Sequence, residues 1–306
     1  MSENTNLIST GGGIAGRNKR YIVWFYLLNL VFAHFGAAVF SDNAHTILDN
    51  SLYSDKLLHG FNLAVFIELL ARPEFGPLHR SAAPAMLFAV VFFLASLLFM
   101  PGVLLGYASD HRLPRDEFYR VCGRNVWRFV RLLLFFAVIA GIVAGILFGA
   151  LNALVTAADK TSHERLPFFV QLLGTGIIFL VLTVIRIWFD LAQTDVVLHD
   201  QPAVRKSVAA GFRKTRRNLG RLLGSYVVIA VVALAVLVAG VLLWYAIVPP
   251  SSVVGAFIIG QVTLLLLLAM RFWQRATAVA FYVRELIEPA VEEVRPIPML
   301  TAPVVP

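Results

Sequence analysis

Residues 222–270 read LLGSYVVIAVVALAVLVAGVLLWYAIVPPSSVVGAFIIGQVTLLLLLAM, a stretch of 49 residues without a charged side chain. An α-helix rises about 1.5 Å per residue, so roughly 20 residues cross a hydrocarbon core of about 30 Å. The stretch is therefore too long for one membrane span and about right for two. The sequence Pro249-Pro250-Ser251-Ser252 in its middle predicts the turn, because proline removes backbone donors and serine can satisfy local backbone groups.

Four other uncharged runs precede this stretch, each long enough for one span: 21–41, 81–109, 132–158 and 166–185. Together the runs predict an all-α polytopic membrane protein with six transmembrane helices, at about 21–41, 83–107, 132–157, 167–190, 222–248 and 253–275. The first run could also belong to a signal peptide cleaved near Ala37-Ala38. Its length and its many aromatic residues favour an uncleaved anchor.

The composition excludes a water-soluble globule. Of the 306 residues 59% are hydrophobic and 14% are charged, whereas soluble domains carry about 25% charged residues. The charge that remains is basic, with 26 Lys and Arg against 18 Asp and Glu.

The distribution of Lys and Arg predicts the orientation. With the N-terminus inside, the inner segments hold 20 of these residues, the outer segments hold 5, and Arg186 lies within the fourth span. This asymmetry favours both ends in the cytoplasm, and we expect a multi-pass protein of the bacterial cytoplasmic membrane. Because every basic cluster adjoins a span, anionic lipid headgroups are the expected partners and nucleic acid is not.

Three segments outside the spans also carry predictions. The polar residues 1–20, with glycine at positions 11–13, are expected to be a disordered cytoplasmic segment, and the proline-rich tail 286–306 likewise. Between them lies one transmembrane domain, 21–285. Residues 57–70 are apolar but too short for a span, so we predict an outer interfacial helix at about 55–71, with a shallow re-entrant helix as the alternative.

Similar sequences precede alternate spans and suggest three repeated helical hairpins. Gly16-Arg17-Asn18 comes before the first span and Gly123-Arg124-Asn125 before the third. The alternative is that any cytoplasmic helix start tends to be basic and to contain glycine. Inner amphipathic segments are predicted at about 112–128 and 202–219.

Three glycines in the third span, Gly141, Gly145 and Gly149, are spaced four residues apart. Small residues at this spacing form a flat strip on one helix face and let another helix come close. We expect this helix-packing strip to contact another span of the same chain, with a homodimer contact as the alternative.

A polar cluster is predicted at the inner membrane face, because charges at membrane depth are the default place to look for function. Its members are Arg186, Asp190, Asp195, Arg271 and Arg275. Arg186 and Asp190 are four residues apart on one helix face and can pair. Arg271 and Arg275 are like charges that need a partner, and Asp190 and Asp195 are the nearest candidates by depth. The cluster could bind an anionic headgroup or a small anion. Alternatively, its side chains reach the inner interface and close the bundle by ion pairs.

The residues suited to catalysis or metal binding are not arranged for either. Cys122 is the single cysteine, and no two histidines have the spacing of a helical zinc site. The serine of Gly224-Ser225 lies at the inner end of the fifth span. His34, the one histidine within a span, lies near the opposite membrane face, so the two cannot meet. We therefore expect no catalytic residues, no metal, no cofactor and no enzymatic activity.

The stretch Asp195-Val-Val-Leu-His-Asp-Gln-Pro-Ala-Val-Arg-Lys-Ser207, running through Arg213 into the fifth span, resembles a family pattern. It is similar to six-span bacterial membrane proteins that include the membrane domain of glycerophosphodiester phosphodiesterases. The resemblance covers about residues 170–285 and does not place the outer segment between the first two spans. It implies a six-helix fold and little about activity.

The leading functional hypothesis is a non-enzymatic membrane protein that binds lipids or protein partners through its basic cytoplasmic face. The alternative is a transporter or permease for a small or amphipathic molecule, using Arg186, Asp190, Arg271 and Arg275. No acidic residue lies near the middle of a span, which disfavours proton or ion coupling but not facilitated transport. A homo-oligomer or a membrane-protein partner is compatible with either hypothesis.

Overall fold

The structure is a computed structural model that describes residues 2–48, 64, 67, 68, 71, 78–109, 111–161, 165–249 and 252–284. Its eight long helices are, in chain order, α1 Ser2–Arg17, α2 Lys19–Leu48, α3 Leu78–Ala108, α4 Arg115–Asp159, α5 Leu166–Leu198, α6 Val204–Arg217, α7 Leu219–Ile247 and α8 Val253–Tyr282. The described part of the chain contains no strand. Six of the helices, α2 to α5 together with α7 and α8, are long and apolar enough to cross a membrane. The prediction of an all-α polytopic membrane protein with six spans is confirmed.

Consecutive spans pack side by side as hairpins. Helix α2 packs on α3, α4 on α5, and α7 on α8, which is the pairing that the three predicted hairpins require. Helix α8 is the central element, since it also contacts α1, α2, α3 and α5. Helix α7 ends at Ile247 and α8 begins at Val253, so the break between them falls at the predicted position. Ser252 caps α8 by accepting a hydrogen bond from the Gly255 backbone N–H at 3.2 Å.

Apolar side chains cover the outside of the six spans. Met86, Ile146 and Leu173 are each at least 66% exposed, and large aliphatic and aromatic residues are exposed along every span. In water such a surface would drive aggregation, but in a bilayer it is the surface that lipid tails solvate.

The tightly packed core lies at the basic end of the bundle rather than at its middle. Leu191, Val196, Phe281 and Tyr282 are completely buried, and all four follow the most apolar part of their helices. Among the 18 most apolar consecutive residues of α8 none is buried, and in the corresponding stretch of α4 only 6% are. The helices are thus held together mainly where they emerge from the apolar region. This zone, which includes α6 and the C-terminal ends of α5 and α8, is called the basic end below.

Three helices extend further than predicted for this reason. Helix α4 has 45 residues and joins the amphipathic segment 115–128 to the third span without a break. Helix α5 continues to Leu198 and α8 to Tyr282, beyond the expected span ends at 190 and 275. A charge-free run marks only the part of a helix that crosses hydrocarbon, so it cannot mark the packed extensions.

The prediction of a disordered segment at 1–20 is wrong, because α1 is a helix that packs along α8. Its Leu7 and Ala15 are buried, and the indole N–H of Trp273 donates to the carbonyl of Ile8 at 2.9 Å. Three consecutive glycines disfavour an isolated helix. Here the missing side chain at Gly11 lets α1 approach the backbone of Thr277, and that contact offsets the poor propensity.

The same glycines provide a prediction. A Cβ at Gly11 would lie 2.8 Å from Thr277 Cα, whereas a Cβ at Gly13 meets nothing within 4 Å. Both substitutions to alanine gain the same helix propensity, so the difference between them isolates the contact. We expect Gly11→Ala to be about 1–3 kcal/mol less stable than Gly13→Ala, with faster hydrogen exchange in α1. Equal exchange in the two variants would contradict the docking of α1.

The predicted interfacial helix at 55–71 and the predicted tail at 286–306 lie outside the described residues, except for positions 64, 67, 68 and 71, which are helical. Orientation stays a prediction. Cysteines placed singly at Lys56 and Arg72, in a Cys122→Ala background, should react with a membrane-impermeant reagent from the same side. Labelling from opposite sides would contradict the six-span topology.

Candidate functional site

The structure divides the predicted polar cluster into two separate clusters at the basic end. The Asp190 cluster consists of Arg186 and Asp190 on α5, Tyr226 on α7, and Gln274 and Arg275 on α8. The Asp195 cluster consists of Asp195 and His199 at the end of α5, Ser207 and Lys214 on α6, and Tyr282 on α8. Arg271, the fifth predicted member, is exposed on α8 and forms no ion pair among the described residues.

The Asp190 cluster is centred on one buried carboxylate, beside which the Arg186 side chain is 37% exposed. The Tyr226 hydroxyl donates to Asp190 Oδ2 at 2.8 Å, and Arg186 Nε lies 3.9 Å from the same oxygen. Tyr226 is completely buried, and its carbonyl accepts from the Gln274 side chain at 3.3 Å. Pairing with a cation and a hydroxyl is what allows a carboxylate to lie in this packed zone.

Arg275 supplies the second positive charge facing Asp190. Its Nη1 donates to the sulfur of Met100 at 2.9 Å, and its Nε is buried without a hydrogen-bond partner in the described part of the chain. A sulfur is a weak acceptor, so this guanidinium depends on the Asp190 charge for its stability. Of the two α8 arginines, Arg275 is the one whose charge acts on Asp190, and no direct ion pair joins Arg271 or Arg275 to an aspartate among the described residues.

The Asp195 cluster joins three helices through one carboxylate oxygen. Lys214 Nζ lies 3.1 Å from Asp195 Oδ1, and the hydroxyl of Tyr282 donates to the same atom. The Tyr282 hydroxyl also lies 3.0 Å from His199 Nδ1, and Lys214 Nζ lies 3.9 Å from the centre of the Tyr282 ring. The cluster fixes α6 against α5 and α8.

A third acid, Asp200, pairs with α4 at the surface. Its carboxylate contacts Arg128 and lies 3.3 Å from Arg124 Nη1. The hydrogen bond that Arg128 donates lowers the pKa of the Asp200 carboxyl below its ordinary value. The stabilisation is therefore present above the ordinary carboxyl pKa and is lost as pH falls through the lowered one. Asp200 has a φ of 49°, a conformation that aspartate tolerates better than most residues, and it ends the turn after α5.

The glycine strip in α4 does not pack as predicted. A Cβ built on Gly141, Gly145 or Gly149 meets nothing within 4 Å. The expectation of a contact with another span of the same chain is wrong within the described residues. Close helix contacts occur instead at isolated glycines, such as Gly240 against Thr263 and Gly211 against the backbone of Trp188.

Helix α6 is the most amphipathic element near these clusters. Val204, Ser207, Gly211 and Thr215 form its buried face, at intervals of three and four residues. The exposed face carries five basic residues, Arg205, Lys206, Arg213, Arg216 and Arg217, together with Phe212, which is 46% exposed. The predicted inner amphipathic segment at 202–219 is confirmed as this helix. The indole N–H of Trp188 on α5 donates to the carbonyl of Val208 on α6 at 2.7 Å, and this hydrogen bond holds α6 against α5.

Sequence reasoning missed the aromatic and cationic partners of the two clusters. Tyr226, Tyr282, Lys214 and Gln274 are distant from the aspartates in sequence, so spacing on one helix does not reveal them. His199 lies four residues after Asp195, and that spacing could have indicated it. The serine in Gly224-Ser225 bonds within its own helix, since its hydroxyl donates to the Arg221 carbonyl at 2.9 Å. Among the described residues, no group of three His, Cys, Asp or Glu side chains could hold a metal ion.

No family model, curated protein or solved structure matches the chain. The resemblance to the membrane domain of glycerophosphodiester phosphodiesterases therefore stays a prediction.

Proposed function

We propose that this multi-pass membrane protein is non-enzymatic and that its basic end binds anionic lipid headgroups at the cytoplasmic face of a bacterial inner membrane. The observation that carries the proposal is α6, a helix with a buried apolar and small-residue face and an exposed basic face. An amphipathic helix of this kind suits the plane of a membrane interface.

The position of α6 supports the proposal. It lies immediately before α7, so its cationic face is at the level where the bundle emerges from the apolar region. Each lysine or arginine near an anionic membrane surface contributes about 1 kcal/mol of attraction. The exposed ring of Phe212 sits among these charges and is suited to insertion below the headgroups.

The anchoring of α6 by Asp195 makes its basic face a preformed surface. Lys214 points inward to that carboxylate, and the remaining basic residues of the helix are left for external partners. A fixed helix loses less conformational entropy on binding than a flexible segment. A protein partner with an acidic surface could use the same face, and so could a membrane-protein partner or second copy on the outward glycine strip of α4.

The test uses matched pairs of substitutions in protein reconstituted into nanodiscs of phosphatidylglycerol and phosphatidylcholine. Arg216→Gln/Arg217→Gln removes two charges at the basic end, and Lys160→Gln/Arg165→Gln removes two at the opposite end. We expect the first pair to reduce the enrichment of phosphatidylglycerol around the protein by roughly fivefold per residue, measured by native mass spectrometry of released complexes. The second pair should leave it unchanged. An equal loss of phosphatidylglycerol enrichment in both double variants would contradict the proposal. So would the absence of such enrichment around the unaltered protein.

The transporter alternative places its site in the Asp190 cluster. Side chains of α3, α5, α7 and α8 close that cluster, so transport would require these helices to separate. Arg275→Ala would then abolish flux in correctly inserted protein, whereas Arg271→Ala, outside the cluster, would not. A protein that only binds lipids or partners would lose stability or association instead, with no flux to lose.

A further inference from the structure

A groove of about 540 Å³ opens between α2, α3 and α4 at the basic end, away from both aspartate clusters. Arg20 and Arg115 line it at one end, and Trp24, Leu28, Phe99 and Tyr119 are among the residues that continue it. Arg20 is the second residue of α2 and Leu28 lies eight residues further on, about 12 Å along the helix. The groove therefore runs from the level of the charged helix ends toward the apolar region.

The charged end of the groove has unused hydrogen-bonding capacity. Arg20 Nη2 donates to the hydroxyl of Tyr21 at 2.9 Å, while its Nε is buried without a partner in the described part of the chain. Arg115 is exposed in the first turn of α4, where Pro114 provides no side-chain cap. The two acids of the same turn, Asp116 and Glu117, do not line the groove. Two cations with no acid among the described lining residues make this end suited to an anion.

The walls of the groove are preformed. Tyr21 stacks on Phe118 with ring centres 5.7 Å apart, and Phe118 stacks on Phe99 at 6.4 Å. Trp24 and Tyr119 at the mouth are 70% and 60% exposed. Exposed tryptophan and tyrosine at this level are typical of side chains that sit among lipid headgroups.

The other end of the groove indicates where its occupant comes from. Beyond Trp24, the outer face of α2 exposes Leu27 and Val31, which are 50% and 48% exposed. These side chains belong to the lipid-facing surface, so the groove is continuous with the hydrocarbon region. An occupant with a charged head and an apolar tail can reach it from within the bilayer.

We propose that this groove binds one anionic glycerophospholipid, with its phosphate between Arg20 and Arg115 and one acyl chain along Trp24, Leu28 and Phe99. The inference deepens the proposed function, since it names a discrete lipid site in addition to the general attraction of the basic face. A zwitterionic phosphatidylcholine is disfavoured, because its ammonium group would lie beside two guanidinium groups with no acid among the described groove residues.

Quenching of tryptophan fluorescence by brominated lipid tests the site. The unaltered protein is reconstituted in phosphatidylcholine that contains increasing fractions of phosphatidylglycerol with a brominated acyl chain. The fluorescence of the unaltered protein minus that of Trp24→Phe gives the signal of Trp24. The same difference with Trp127→Phe gives the signal of Trp127. Trp127 is a stringent control, because it is 64% exposed and lies 5.9 Å from the guanidinium of Arg131. General attraction to basic residues acts on both tryptophans.

We expect Trp24 to reach half-maximal quenching at a roughly tenfold lower fraction of phosphatidylglycerol than Trp127. Arg20→Gln/Arg115→Gln should abolish this difference. Arg115→Gln alone, which leaves the Arg20–Tyr21 contact intact, should reduce it several-fold, and Arg112→Gln, an exposed neighbour outside the groove, should not.

The outcomes separate this inference from the proposed function. Enrichment of phosphatidylglycerol at both tryptophans to the same degree would overturn the groove site and leave the basic-face proposal standing. Enrichment at neither tryptophan would overturn both. If Trp24 is still quenched at a lower fraction of phosphatidylglycerol than Trp127 in Arg20→Gln/Arg115→Gln, the assignment of the phosphate to these arginines is overturned. The same holds if brominated phosphatidylcholine quenches Trp24 as effectively as brominated phosphatidylglycerol.

Discussion

Asp190→Leu is expected to lower the free energy of unfolding by about 3–5 kcal/mol, the largest effect of any single substitution considered for this protein. The carboxylate carries the negative charge that acts on Arg275, whose Nε is buried without a partner among the described residues and whose Nη1 donates to the sulfur of Met100. Removing it leaves a guanidinium in the packed zone without a counter-charge, and leaves the buried Tyr226 hydroxyl without its acceptor. Titration of the detergent-solubilised protein with a denaturing detergent measures the loss.

Two further variants identify the cause of that loss. Asp116→Leu removes an exposed carboxylate in the first turn of α4 and should cost less than about 1 kcal/mol. Asp190→Leu/Arg275→Met removes the buried charge together with its partner and should recover most of the stability. If the double variant is less stable than Asp190→Leu, the charge of Arg275 is satisfied by other groups and the account of this cluster is wrong.

Asp195→Leu is expected to release α6 from the bundle and to cost about 2–4 kcal/mol. The substitution leaves Lys214 and the Tyr282 hydroxyl without the carboxylate that joins them. The cost is smaller than at Asp190, because the Lys214 side chain is 23% exposed and can turn toward water. Since α6 is rich in arginine and lysine, limited trypsin digestion of the reconstituted protein should cleave it much faster in this variant.

Asp200→Leu is the matched control. Asp200 also accepts from basic side chains just after α5, but its side chain is 49% exposed. Exposed ion pairs contribute about 0–1 kcal/mol, so this variant should keep both its stability and its resistance to trypsin in α6. Similar cleavage in the two variants would show that the Asp195 cluster does not anchor the helix.

The two sets of glycines show how far a spacing pattern can be trusted. Gly141, Gly145 and Gly149 have the spacing of a packing strip and contact nothing within the described chain, whereas Gly11, in a run that suggested disorder, makes a close helix contact. Small residues permit close approach but do not attract a partner by themselves. Whether a partner arrives depends on the positions of the other helices, which the local sequence does not encode.

The polar residues show the same limit in another form. Arg186 and Asp190 were predicted to pair because both lie on one face of one helix, and they do. Arg271 and Arg275 were equivalent candidates in the sequence, yet in the described part of the chain it is the buried Nε and the charge of Arg275 that lie near Asp190, while Arg271 is exposed. The choice between them follows from the rotation of α8 about its axis, which the packing of α1, α3 and α7 against it determines.

By itself the sequence determined the all-α class, the six spans, the break between α7 and α8, and the amphipathic helix α6. Each of these follows from a local requirement: hydrocarbon excludes charge and unsatisfied backbone groups, and an interface sorts the faces of a helix. Only the tertiary structure decided that the packed core lies at the basic end, that Tyr226 and Tyr282 complete two separate carboxylate clusters, and that Arg20 and Arg115 share a groove. Those contacts join residues far apart in the chain, and which of them form depends on how the helices pack together.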